Sequence, residues 1–125
     1  MTEDYVSLEV AKLLKEKGFN EICRAAYTVG GKFITHHNYY SQCKDECIAP
    51  THQMAMAWLR ENHNIHIVIE AYPHEDGCFY WCYRIMETVK IETLFGYFKK
   101  AQKSGFDSYE DAVEAALKYS LENLI

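Results

Sequence analysis

Between residues 6 and 17, Val6, Val10, Leu13 and Leu14 recur at helical spacing, with Lys12, Lys15 and Glu16 on the opposite side. Ser7 stands where an N-cap accepts a backbone hydrogen bond, and Glu9 suits the positive end of the helix dipole. Gly18 followed by Phe19 fits a left-handed stop with an apolar residue folding back, so a first helix is expected over Ser7 to Lys17. Two β-prone runs then flank Gly30-Gly31, which predicts a hairpin with a two-residue primed turn, pairing Val29 with Lys32 and Tyr27 with Ile34. Asn38 to Ala49 has no clear period and is read as a loop. Pro50-Thr51 opens a second helix with Met54, Ala55, Trp58 and Leu59 on one stripe.

Ile65 to Tyr72 and Cys78 to Ile85 are strongly β and are joined by Pro73-His74-Glu75-Asp76-Gly77, so they form an antiparallel hairpin. Period-two alternation puts Ile65, Ile67, Ile69, Ala71, Phe79, Trp81, Tyr83 and Ile85 on a core face. The opposite face carries His66, Val68, Glu70, Tyr72, Cys78, Tyr80, Cys82 and Arg84, a mixture of apolar and polar groups. In Glu87 to Ser104 the positions Ile91, Leu94, Phe95, Phe98 and Ala101 fit a helix, although Gly96 and the aromatic content also suit a strand; a helix is expected. Ser108 then caps a last helix, with Asp111 completing a capping box and Tyr109, Ala112, Val113, Ala116, Leu117, Ser120, Leu121 and Leu124 at helical spacing. Two hairpins and several amphipathic helices predict an α+β domain covering residues 1–125, a two-layer arrangement with an antiparallel sheet of two hairpins packed against helices.

Composition narrows the function classes. The 125 residues are 49% hydrophobic and 25% charged, an ordinary globular profile with enough length for a core. Thirteen Lys and Arg against 18 Asp and Glu leave a net charge of −5, which opposes nonspecific attraction to phosphate backbones and anionic membranes. Nucleic acid is therefore a disfavoured partner, the cluster Phe98, Lys99, Lys100 and Lys103 notwithstanding. No apolar run approaches the 18 to 20 or so residues that cross a bilayer, and the acidic start does not look like a signal peptide. Five cysteines then read as reduced thiols of a cytoplasmic protein.

Candidate chemistry divides into metal, catalytic and interaction readings. Cys43 and Cys47, with His37 and His52 nearby in sequence, offer ligands suited to zinc. Cys78 and Cys82 do not, because four steps along a strand separate them by about 13 Å. Buried thiols and loop histidines are the plainer explanation for all of these groups. No nucleophile elbow, Walker loop or dinucleotide fingerprint is present, and the acidic pairs Glu75-Asp76 and Glu110-Asp111 suit a loop and a helix start. Tyrosine is enriched at interfaces, so Val68, Tyr72, Cys78, Tyr80 and Cys82 are the expected surface for a homodimer or another protein partner. A layer of the same chain covering that face is the competing explanation.

Two stretches, Pro50-Thr51-His52-Gln53-Met54-Ala55-Met56-Ala57-Trp58-Leu59-Arg60-Glu61 and Ser108 to Ile125, resemble small uncharacterised proteins encoded in phages and mobile elements of gut bacteria. The likeness covers roughly the C-terminal two-thirds of the chain. No activity, cofactor or site is assigned to that group, so the resemblance implies a mobile-element context and nothing chemical. The expected role is a small, non-catalytic binding or accessory protein that self-associates, with a zinc-binding protein as the alternative.

Overall fold

The computed structural model describes residues 4–40, 42 and 46–125, apart from the side chains of His36, His37 and Ile91. Its elements are α1 (Leu8–Glu16), β1 (Cys23–Tyr27), β2 (Phe33–Tyr39), β3 (Cys47–Ile48), α2 (His52–His63), β4 (His66–Pro73), β5 (Phe79–Ile91), β6 (Leu94–Phe106) and α3 (Tyr109–Asn123). The class is α+β. The two expected hairpins belong to separate three-stranded antiparallel sheets, ordered β2-β1-β3 and β4-β5-β6.

The helix ends follow the local chemistry of the sequence. Ser7, Thr51 and Ser108 each accept a hydrogen bond from the backbone N–H three residues on, at Val10, Met54 and Asp111. After α1, Gly18 takes φ +93° while the Phe19 N–H donates to the Leu14 carbonyl at 2.9 Å, closing the turn as expected. Asn64 ends α2 in the left-handed region at φ 55°.

The first hairpin corrects the expected register. Tyr27 pairs with Phe33 and Ala26 with Ile34, one residue from the pairing a two-glycine turn would impose. The Gly31 N–H donates to the Thr28 carbonyl and the Thr28 N–H to the Lys32 carbonyl, at 2.8 and 2.9 Å. Only Gly31 of the two glycines takes positive φ, +81°, so the connection is a turn followed by one left-handed residue. The segment read as a loop contributes the short strand β3, which pairs Ile48 with Ala26 and so buries the β1 centre.

The second hairpin keeps the faces that alternation predicts, and its register sets Ile67 opposite Ile85, Ile69 opposite Tyr83, Ala71 opposite Trp81 and Tyr72 opposite Tyr80. Glu87 to Ser104 is a second correction, because it forms no helix. It completes β5, turns at Glu92-Thr93 with Glu92 at φ 57°, and returns as β6. Its apolar spacing fits both periods; what decides is the run of β-branched and aromatic residues, Thr88, Val89, Ile91, Thr93, Phe95, Tyr97 and Phe98, which pack well on a pleated ladder and crowd a helix.

Helix α3 lies along the core face of β4-β5-β6, with its Tyr109 ring edge-on to Trp81 at 5.5 Å and Tyr119 6.5 Å from Tyr83. Ala112, Val113, Ala116, Leu117, Ser120 and Leu121 are its buried stripe. One hydrophobic cluster joins α3 to Val10 and Leu14 of α1, Trp58 and Leu59 of α2, Ala25 of β1 and Ile85 of β5. No helix among the described residues is long and apolar enough to cross a membrane.

Candidate interaction surface

The outer face of β4-β5 holds Val68, Tyr72, Tyr80 and Cys82 together, whereas Cys78 lies in the loop that precedes β5. That face is largely occupied by its own side chains. Glu70 and Arg84 form an ion pair across the two strands, and the Gln102 amide donates to the Cys82 sulfur at 3.9 Å. Cys82 is 1% exposed, so its thiol offers nothing to a partner. Tyr80 packs edge-on against His74 at 4.6 Å and its hydroxyl donates to Asp76 at 3.3 Å. Tyr72, 42% exposed, is the large apolar group left open there.

A more exposed surface lies where the sequence pointed to a helix. Fifteen residues of α helix span about 22 Å, whereas the 13 residues of β5 span about 43 Å, so α3 leaves about half of the strand without a cover. The helix ends at Asn123, which with Leu124 borders a shallow cleft shared with Ile65, Met86, Glu87 and Lys100. Beyond it, Thr88–Ile91 and Leu94–Phe98 continue as a two-stranded arm. Asn64 clamps the root: its side-chain amide donates to the Thr88 carbonyl at 2.9 Å, and the Thr88 N–H and hydroxyl both donate to the Asn64 side-chain oxygen. Asn64 holds this position because it can adopt the left-handed cap and still reach the strand.

On the arm, Leu94 is 73%, Phe95 79%, Tyr97 65% and Phe98 59% exposed. Among the described residues no other five-residue run exposes as many large apolar side chains. Pairing places Phe98 opposite Glu87 and Gly96 opposite Val89 on the helix side, with Tyr97 opposite Thr88 and Phe95 opposite Lys90 on the outer side. The Lys90 ammonium sits 5.3 Å over the Phe95 ring, and Lys100 pairs with Glu87 at 2.9 Å. Further along β6, the register shifts between Ile85 and Met86, and Lys99, Lys100 and Lys103 punctuate the edge. Bulges and lysines of this kind discourage another strand from pairing there. Leu94 to Phe98 contain neither a bulge nor a lysine, which concentrates any docking on that stretch of β6.

A partly buried polar cluster, unsuspected from sequence because its members lie at positions 7, 52 and 114, ties the three helices together. The Glu114 carboxylate accepts from the Ser7 N–H at 2.9 Å, the Ser7 hydroxyl at 2.7 Å and His52 Nε2 at 2.8 Å. Burial would raise the Glu114 carboxyl, but the hydrogen bonds from His52 and Ser7, with the attraction of His52, outweigh it and hold the group below its ordinary value. Serine, histidine and carboxylate meet here in the wrong order for nucleophilic catalysis. The hydroxyl donates to the carboxylate and not to an imidazole base, so nothing activates it. The arrangement is a tether between helix ends.

The zinc reading meets its residues only in part. Cys43 lies outside the described residues, as does the His37 side chain; Cys47 is half-buried in β3, and His52 Nε2 is engaged by Glu114. Among the described residues no group of three or more His, Cys, Asp or Glu is disposed to hold a metal ion. The buried Cys23 thiol is pushed up to about 12 by desolvation and by Glu21, which keeps it protonated and unreactive. Comparison with known families, curated proteins and solved structures yields no match to this chain.

Proposed function

We propose that the protein is a small, non-catalytic binding or accessory protein that acts through protein contacts made by its β5–β6 arm. The observation that carries this reading is the exposure of Leu94, Phe95, Tyr97 and Phe98 on a rooted, two-stranded projection beyond the end of α3. Large aromatic groups are the usual anchors of protein interfaces, and a contiguous exposed set marks a contact surface more strongly than scattered apolar residues do. The likeness of residues 50–61 and 108–125 to phage and mobile-element proteins supports an origin in such an element.

The test is a photo-reactive amino acid placed at Phe98, with a matching one at the exposed Arg24 of β1 as control. Cross-linking in expressing cells is expected to give a discrete product from position 98 and none from position 24. An arm that cross-links to nothing, or no more than the control does, overturns the reading.

A further inference from the structure

We infer that the arm seats on a second copy of this chain, each arm lying across the C-terminal end of the other copy's α3. The inference rests on the arm being the contact element and adds its occupant. Charge is the first reason. Residues 87–103 hold four lysines against two glutamates, a net +2, which leaves −7 on the rest of a chain whose total is −5. A second copy therefore presents the arm with an acidic body, and opposite potentials favour encounter. Nucleic acid would meet that same body as a repulsive surface.

The seat is the second reason. The last turn of α3 has no basic residue of its own to offset the negative end of its dipole, and Glu122 adds to it, with Lys17 donating to the Ile125 carbonyl beyond the helix at 3.2 Å. The cleft beside it, lined by Ile65, Met86, Asn123 and Leu124 with the mutually paired Glu87 and Lys100, is the place where the chain's own helix stops short of its own strand. A two-fold axis beside this end would bring the helix-side residues Val89, Leu94 and Phe98 of one arm over the cleft of the other, leaving Lys90 and Lys99 on the outer side of the arm. One vacancy then fills the other, as an isologous interface requires.

The experiment is light scattering on the purified full chain from 5 to 500 μM, for wild type, Leu94→Glu with Phe98→Glu, and Tyr72→Glu. The arm sites are exposed, so the double variant should fold, which circular dichroism checks. Wild type and Tyr72→Glu are expected to reach the mass of two chains, with the double variant remaining at one. A purified chain that stays monomeric throughout overturns the inference, and so does a dimer that survives the double variant or is lost in Tyr72→Glu. Tight binding of a short single-stranded oligonucleotide by a monomer overturns it as well. If the purified chain is monomeric while position 98 still cross-links to a different protein in cells, the second copy is refuted and the interaction role stands; if position 98 contacts nothing, both fall.

Discussion

Replacing Glu114 with alanine removes the acceptor that joins Ser7 at the start of α1, His52 in the first turn of α2, and α3. Three hydrogen bonds of 2.7 to 2.9 Å are lost at once. A hydrogen bond to a charged group contributes about 1.5 to 3 kcal/mol, and a buried donor left without a partner bears its full desolvation cost. The contributions are not additive, and the carboxylate side chain is 27% exposed, so water can reach part of the vacated site. The Ser7 hydroxyl also retains its bond from the Val10 N–H. The expected loss is on the order of 2 to 4 kcal/mol. Glu114→Gln keeps one oxygen but turns an amide donor toward either Ser7 or His52, for about 1 to 2 kcal/mol. Urea denaturation read by tryptophan fluorescence measures both, with unchanged m-values showing that stability alone has moved. An alanine variant within about 0.5 kcal/mol of wild type, which is the range of ordinary surface substitutions, or a glutamine variant equal to wild type, would refute the tether.

The same cluster dictates a pH dependence: because Glu114 is held below its unfolded value, its stabilisation is complete above about pH 4.3 and disappears as pH falls through the lower folded value. The stability gap between wild type and Glu114→Gln should therefore close on acidification; a gap that widens contradicts the assignment. Native alkylation followed by peptide mass spectrometry should modify the exposed Cys78 first and leave the buried Cys23 and Cys82 untouched until the chain unfolds; early labelling of Cys82 would show the outer face to be more open than described. Asn64→Ala puts in the left-handed cap a residue that lacks the side-chain amide by which Asn tolerates it, and removes the clamp on Thr88, at a cost of about 1 to 2 kcal/mol. Asn64→Gly should recover the backbone part of that loss and not the clamp, and amide exchange at Thr88 separates the two.

What could be read from the sequence was whatever local chemistry decides. Ser7, Thr51 and Ser108 cap helices because a short hydroxyl side chain satisfies a free N–H wherever it occurs, and Gly18 closes α1 because a left-handed residue is needed there. The two faces of β4 and β5 were equally legible, since shifting either strand by one residue would turn its apolar set, Ile67 and Ile69 or Ile85, to the outer face. The β5–β6 arm was not. Ile91, Leu94, Phe95, Phe98 and Ala101 satisfy a helical period and a strand equally well, and a projecting arm has no buried face to break the tie. The Gly30-Gly31 turn failed for a smaller reason: only Gly31 needs positive φ, so the pair of glycines overstated the signal. The Ser7–His52–Glu114 tether lay beyond sequence reasoning because only the tertiary fold brings three distant positions within hydrogen-bond reach.

The pairing of two copies through the arm is tested most directly by amide hydrogen exchange of the full chain at 5 and 500 μM. Protection is expected to rise with concentration in Thr88 to Phe98 and in the last turn of α3, and to stay constant on β1 and on the Tyr72 to Tyr80 face. Exchange in the arm that is the same at both concentrations, or protection that appears on the outer face of β4 and β5, would contradict it.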